Sequence, residues 1–233
     1  MFIPLDSHLY EQEVSIPCVS TSLTIPGPAG DLEAITSFPV EAGATRAAGV
    51  ICHPHPLYGG AMTNKVVHYI SRAFNDLGVG TVRFNFRGVG ASAGSYGHGA
   101  GETEDLLAVL EWVGEQYPGR PVWLAGFSFG AYVAIRGARH SAVARLVTVA
   151  PPVNLFDLNS TPEPECPWLL IQGEEDEIVP SANVIGWARN LPHPPRIIRM
   201  KGCGHFFHGR LNDLRAVLMG ALAPVRGANV KVA

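Results

Sequence analysis

The sequence lacks the features of several protein classes. Its four cysteines (Cys18, Cys52, Cys166 and Cys203) are scattered and form no Cys-x-x-Cys pair, which favours reduced, buried thiols over a disulfide framework. There is no cluster of Lys or Arg, and the formal net charge is -3, so a nucleic acid partner is not expected. No apolar run approaches the roughly 18 residues that cross a bilayer, and the start lacks a basic stretch. These absences predict a cytoplasmic protein that binds neither nucleic acid nor membranes.

The composition is that of a folded protein with a large core. The apolar fraction is 47% and the charged fraction 16%, whereas a disordered chain needs the reverse balance to stay solvated. The sequence contains no internal repeat, low-complexity tract or linker. We therefore predict a single domain over residues 1–233.

Short apolar β-rich runs alternate with longer helix-compatible runs from about residue 46 onward. This alternation predicts an α/β fold with a mostly parallel central sheet and helices on both faces. The predicted strands are Ala48–Cys52, Val79–Phe86, Pro121–Phe127, Ala144–Val149, Pro167–Gln172 and the less apolar Arg196–Met200. The predicted helices lie near residues 65–77, 102–116, 129–140, 182–190 and 209–222. Before them, Val14–Ile25 and Leu32–Phe38 flank a turn-forming run and predict an antiparallel hairpin at the sheet edge.

One motif predicts nucleophilic chemistry. The strand Pro121–Phe127 leads into Gly126-Phe127-Ser128-Phe129-Gly130, and a helix follows. In a nucleophile elbow the chain turns so sharply that the positions two before and two after the serine must be glycine. The alternative is a serine that caps the helix of an ordinary strand-to-helix loop. The strand before the motif and the helix after it favour the elbow.

A serine nucleophile needs a histidine base and a carboxylate that orients the histidine. In this topology both follow the serine, each just beyond a later strand, with the acid first. Four neighbouring carboxylates at residues 174–177 compete for the acid role. Asp176 is favoured because a turn beyond the strand end is needed before a side chain points back across the sheet. His205 is favoured as the base because glycines flank it, whereas His208 is expected at the start of the last helix, in a surface or capping role.

The loop His53-Pro54-His55-Pro56-Leu57-Tyr58-Gly59-Gly60 follows the first parallel strand. An oxyanion hole needs two N–H donors, one from the residue after the nucleophile and one from such a loop. Phe129 is predicted to supply the first. His53 and His55 also have a spacing compatible with metal binding, but no third ligand with sensible spacing accompanies them. We therefore predict loop-shaping hydrogen bonds for both histidines, and neither a metal nor a cofactor.

Taken together, the motifs resemble the α/β-hydrolase superfamily, and within it the small bacterial serine hydrolases with a His-Pro-His-Pro loop. The resemblance rests on His53–Gly60, Arg83–Gly90, Gly126–Gly130, Gly173–Pro180 and Gly202–Phe206. It implies the α/β-hydrolase fold and an esterase-like or thioesterase-like activity. It also implies Ser128 as nucleophile, Asp176 as acid and His205 as base. The second oxyanion N–H falls on Leu57 or Tyr58. Dienelactone hydrolases are similar in size but use cysteine as nucleophile, and the serine here departs from that pattern.

The predicted activity is hydrolysis of small or short-acyl esters or thioesters through an acyl-enzyme. Amides are less favoured because their leaving group is poorer and must be protonated. Only about sixteen residues, rich in proline, separate the strands ending near Ala150 and beginning at Pro167, so no cap domain is expected.

Two alternatives belong to other functional classes. The first is a nucleotide-binding oxidoreductase, suggested by Gly88-Val89-Gly90-Ala91-Ser92-Ala93, although a loop rather than a helix is expected after this run. The second is a hydrolase fold that binds a partner without catalysis.

Overall fold

A single mixed sheet organises the protein. The computed structural model describes residues 16–40, 46–140 and 143–223, and in these ranges eight strands pair in the order β1-β2-β4-β3-β5-β6-β7-β8. The strands are β1 (Cys18–Ile25), β2 (Leu32–Pro39), β3 (Ala47–Cys52), β4 (Val79–Phe84), β5 (Val122–Phe127), β6 (Val143–Val149), β7 (Trp168–Gly173) and β8 (Arg196–Met200). β2 pairs antiparallel with β1 and β4, and the remaining pairs are parallel. The edge hairpin is confirmed, although residues 14 and 15 of its prediction lie outside the described ranges.

Helices cover both faces of this sheet. They are α1 (Lys65–Asp76), α2 (Ala100–Gln116), α3 (Phe129–Gly137), α4 (Ser181–Arg189) and α5 (Leu211–Leu222). Buried residues of α1 and α5 pack into one apolar core, and those of α2, α3 and α4 into the other. Because both faces are covered, every residue of β3, β4 and β7 is buried, which explains their nearly continuous apolar sequences. None of the helices in the described ranges is long and apolar enough to span a membrane.

The last helix begins later than predicted. The prediction was 209–222, whereas α5 starts at Leu211. Phe207 and Gly209 have φ values of 52° and 71°, which a right-handed helix does not accommodate. His208 therefore lies in a turn before the helix rather than at its start.

The glycine-rich run after β4 forms a turn. The N–H of Gly88 donates to the carbonyl of Ala93 at 3.0 Å, and the next helix starts only at Ala100. A dinucleotide fingerprint needs a helix N-terminus directly after its glycines to hold the pyrophosphate. The run therefore lacks the structural context that the oxidoreductase alternative requires.

The connection between β6 and β7 is short. Residues 150–167 are all described, and they form turns and bends with neither helix nor strand. The prediction that no cap domain covers the carboxyl ends of the strands is confirmed.

Candidate active site

Ser128 lies at the sharp turn between β5 and α3, with φ 54° and ψ -121°. A Cβ atom placed on Gly126 would lie 2.1 Å from the carbonyl oxygen of Gly130. One placed on Gly130 would lie 2.3 Å from the carbonyl oxygen of Cys52. Real Cβ atoms do not approach backbone this closely, so both positions require glycine. The turn thus has the backbone geometry of a nucleophile elbow.

Three side chains meet above the carboxyl ends of the strands. The Oγ atom of Ser128 lies 3.0 Å from Nε2 of His205, and Nδ1 of His205 lies 2.8 Å from Oδ2 of Asp176. The histidine and aspartate side chains are 2% and 0% exposed. A hydroxyl, an imidazole and a carboxylate joined in this order can move the serine proton onto the imidazole while the carboxylate fixes its orientation.

Hydrogen bonds hold the Asp176 carboxylate in place. Oδ1 accepts the N–H groups of Ile178 and Val179 at 3.0 and 2.7 Å, and Oδ2 also accepts Nε2 of Gln172 at 3.0 Å. Burial raises the pKa of Asp176, but the bond from His205 and the two N–H groups outweigh burial, so the pKa lies below its usual value. The carboxylate is therefore charged at neutral pH.

The neighbouring carboxylates have other partners. Glu174 pairs with Arg199 at 3.0 Å, and Glu177 accepts the backbone N–H of His205 at 3.1 Å. Glu175 is exposed. The structure thus brings Asp176, of the four competing residues, to the imidazole of His205.

Gln172 is a site residue that the sequence analysis missed. It is fully buried at the end of β7 and donates to both Asp176 and the carbonyl of Val179. A polar residue at the carboxyl end of an otherwise apolar strand was the available signal, since such a side chain must find a partner when buried.

The two histidines of the His-Pro-His-Pro loop shape the backbone. Nδ1 of His53 bonds the carbonyl oxygen of Pro54 at 2.6 Å, and its Nε2 accepts the N–H of Phe86 at 3.1 Å. His55 accepts the N–H of Leu57 on Nδ1 and bonds the Tyr96 hydroxyl through Nε2. All four ring nitrogens thus have hydrogen-bond partners in the protein, and the two rings stabilise the conformation of the loop.

The predicted oxyanion donors on this loop are already used. The N–H of Leu57 donates to Nδ1 of His55 at 3.2 Å, and that of Tyr58 to the carbonyl of His55 at 3.1 Å. Both bonds belong to the 3-10 turn Pro56–Tyr58, which the sequence analysis did not anticipate. The N–H of His55 donates no hydrogen bond within the described ranges, and His55 lines the cleft at Ser128. Phe129 supplies the first N–H of α3, a group without a partner inside its helix.

An apolar cleft of about 370 Å³ opens above Ser128. Its described lining is Pro54, His55, Tyr58, Gly59, Gly60, Asn64, Ser128, Phe129, Pro152, Leu155, Phe156, Ile178, His205 and Phe206. Among these described residues there is no Asp or Glu. Leu155 and Ile178 are 60% and 40% exposed, so the cleft is open to solvent on their side.

Comparison with known proteins identifies the superfamily. A solved α/β serine hydrolase homologue from Coxiella burnetii is 46% identical, covers 87% of this chain and 97% of its own, and superposes with a TM-score of 0.84. A solved serine hydrolase without lid from Xanthomonas campestris is 44% identical, with coverages of 88% and 94% and a TM-score of 0.83. The chain belongs to the α/β serine hydrolase superfamily.

Two further comparisons give a family model and a relative without a described activity. A family model described as serine aminopeptidase, S33, matches residues 44–159 of this α/β serine hydrolase. An uncharacterized protein of Rickettsia prowazekii is 31% identical over 187 residues, which are 76% of this chain and 79% of the relative. The family model covers Ser128 but ends before Asp176 and His205.

The buried His53 predicts a specific pH dependence of stability. Burial lowers the pKa of His53 to about 4, from an ordinary 6.5. Between these values the unfolded chain binds the proton and the folded protein does not, so stability falls as the pH falls through this window and levels off below it. We expect a loss of about 2 kcal/mol between pH 7 and pH 5 from this residue.

Urea unfolding at pH 7 and pH 5 measures this loss. His53→Gln should flatten the pH dependence, although it is less stable at pH 7. The exposed His208 provides the matched control, since His208→Gln should keep the dependence of the natural protein. Equal pH dependence in His53→Gln and the natural protein would contradict the assignment.

Proposed function

We propose that this α/β serine hydrolase cleaves carboxylic esters or thioesters through Ser128, His205 and Asp176. The observation that carries the proposal is the unbroken chain of hydrogen bonds from the Ser128 hydroxyl through His205 to the Asp176 carboxylate. Elbow geometry alone also suits a helix-capping serine. A buried imidazole and a buried, charged carboxylate aligned on its hydroxyl are the arrangement that acyl transfer needs.

The reaction proceeds in two halves. Ser128 Oγ attacks the acyl carbonyl while Nε2 of His205 takes its proton, and the protonated imidazole then passes that proton to the leaving alcohol or thiol. Water attacks the resulting acyl-enzyme with His205 again as base, which releases the acid and restores Ser128. Asp176 keeps the proton on Nδ1, so that Nε2 remains the acceptor in each half.

The oxyanion that forms in each half needs two donors. Phe129 provides one N–H, at the start of α3, where the helix dipole also favours negative charge. For the second we propose the N–H of His55 in place of the predicted Leu57 or Tyr58. Its own loop leaves it without an acceptor, and it lies on the wall of the cleft that holds Ser128.

The lining favours neutral acyl substrates over peptides with a free amino terminus. An aminopeptidase has to bind the substrate ammonium group, and a carboxylate is the side chain that does so at low desolvation cost. The described lining of the cleft holds aromatic and aliphatic side chains and no carboxylate. For this reason we favour ester or thioester hydrolysis even though the matching family model is described as serine aminopeptidase.

A fluorophosphonate probe tests the proposal directly. An activated serine attacks the probe and keeps a covalent adduct, whereas the serine of a binding protein without catalysis does not react. Mass spectrometry of the labelled protein should place one adduct on the peptide that contains Ser128. A folded protein that stays unlabelled would favour the binding-protein alternative.

Short acyl chains are expected to be the better substrates. The cleft lacks a cap domain, and its wall at Leu155 and Ile178 is exposed. A methylene group of an acyl chain that extends beyond the cleft therefore contributes less binding free energy than the roughly 0.8 kcal/mol of a fully buried methylene. In a series of p-nitrophenyl esters, kcat/KM should be highest between acetyl and hexanoyl, with no jump in rate above the solubility limit. A steady rise through dodecanoyl would instead indicate a closed acyl tunnel.

A further inference from the structure

A second cavity, of about 280 Å³, lies between α1 and the β1–β2–β4 edge of the sheet. It shares no described lining residue with the catalytic cleft. Its walls include Arg83 of β4, Ser37 of β2, and His68, Arg72, Asn75 and Asp76 of α1. The described lining of this cavity is mostly polar and carries two guanidinium groups.

Arg83 is a buried cation without a counter-ion in the described ranges. The residue is 9% exposed, and Nη1 donates to the carbonyl oxygen of Met62 at 3.1 Å. Its Nε is buried and has no hydrogen bond partner. Burial lowers the pKa of the guanidinium, the expected effect when no negative charge compensates for desolvation. An unpaired donor and an unpaired charge at one buried position point to a missing acceptor.

The rest of the lining adds positive charge and few acceptors. Arg72 lies over the ring of Tyr69 at 5.6 Å and forms no ion pair within the described ranges. The acidic side chain in the described lining, Asp76, is paired with Arg215 at 2.6 Å. Burial and the charges of Arg83 and Arg72 lower the pKa of His68. The cavity thus has a positive potential that its own carboxylate does not cancel.

The hydroxyl of Ser37 and the amide of Asn75 in the wall bond to each other and to the backbone. Ser37 Oγ donates to Oδ1 of Asn75 at 3.0 Å, and Nδ2 of Asn75 donates to the carbonyls of Ser37 and Val79, both at 3.0 Å. These groups hold α1 against β2 and β4. The charged donors available to a ligand are the two arginines, with the imidazole of His68 and the hydroxyl of Ser20 beside them.

We infer that this cavity binds a phosphate group between the guanidinium groups of Arg83 and Arg72. Guanidinium forks donate in pairs to the oxygens of phosphate, and phosphate offers enough acceptors to serve both arginines at once. The volume leaves room for a small organic group, so the phosphate can be inorganic or carried on an ester. The inference does not depend on the proposed hydrolase chemistry, because binding is measured without turnover.

Calorimetric titration with sodium phosphate at constant ionic strength tests this site. We expect saturable binding of one phosphate per chain, competition by sulfate, and none by chloride. Amide NMR shifts should concentrate on Ser37, His68 and Arg72. Titration with glycerol phosphate distinguishes a phosphate ester from free phosphate as the ligand. If glycerol phosphate binds more tightly than inorganic phosphate, the ligand is an ester. If it binds equally or more weakly, the ligand is the free ion.

Substitutions in the cavity identify the binding groups. Arg72→Gln and Arg83→Lys should each weaken phosphate binding at least about tenfold, which corresponds to about 1.4 kcal/mol. Arg145 is the matched control, because it also lies over an aromatic ring, that of Trp123, at 4.9 Å and outside this cavity. Arg145→Gln should bind phosphate like the natural protein.

Two results would overturn the inference. One is the absence of saturable phosphate binding below about 10 mM, which is also the result expected if a carboxylate of this chain occupies the site. The other is unchanged affinity in both Arg72→Gln and Arg83→Lys. Because Arg83→Lys keeps the positive charge and Arg72 is only partly buried, circular dichroism should show both variants folded.

Discussion

Ser128→Ala is expected to yield a folded protein whose ester turnover is lower by on the order of a million-fold. The substitution removes one oxygen atom, whose described partner is His205 at 3.0 Å, so little packing is lost. The backbone at φ 54° is unfavourable for alanine as it already is for serine. Thermal unfolding should therefore stay close to that of the natural protein, while initial rates on a short-chain ester fall to the rate of the buffer.

A second serine provides the control for this result. Ser92 is buried, accepts the N–H of Glu33 at 2.9 Å and donates to the carbonyl of Asn85 at 2.7 Å. Ser92→Ala should lower stability by about 1–3 kcal/mol because it leaves buried groups unpaired, yet the folded fraction should keep its kcat. Near-normal hydrolysis by folded Ser128→Ala protein would refute the proposed nucleophile.

The fold could be predicted because its requirements are local. Strands buried on both faces are nearly continuous in apolar residues, as β3, β4 and β7 are apart from Thr81, Arg83 and Gln172. The elbow requires glycine at Gly126 and Gly130, where any side chain would overlap backbone. Such constraints act on a few consecutive residues, so they are visible in a sequence.

The remaining details depend on contacts between distant segments. The 3-10 turn at Pro56–Tyr58 determines which N–H group of the loop is free to bind an oxyanion. The sequence predicted Leu57 or Tyr58 for this role, but the N–H groups of both residues donate to His55 within the turn. Arg83 lies in a mostly apolar strand, and no described acidic residue pairs with it; this follows from the way α1 packs against β4 rather than from its neighbours in sequence. Gln172 reaches Asp176 because the loop after β7 folds back over the strand end. Pattern and propensity do not specify these placements.

His205 and His208 give the sharpest test of the proposed base, because they are three residues apart and we assign catalysis to one of them. The His205 ring is buried between Ser128 and Asp176. The His208 ring is exposed and lies 5.7 Å from that of Phe206. Phe207 lies between the two histidines with φ 52°, so they do not share one face of a helix.

His205→Ala should therefore reduce kcat by nearly as much as Ser128→Ala, since a serine without its base is a poor nucleophile. His208→Ala should change kcat less than about twofold, because surface substitutions shift free energies by no more than roughly 0.5 kcal/mol. The comparison uses initial rates on one short-chain ester at pH 7.5, with circular dichroism to show that both variants fold. Fluorophosphonate labelling adds a measurement that a defect in packing alone does not change. Labelling should be lost in folded His205→Ala protein and kept in His208→Ala protein. If His208→Ala were inactive and His205→Ala active, the imidazole at Ser128 would not be the base, and the proposed mechanism would have to be abandoned.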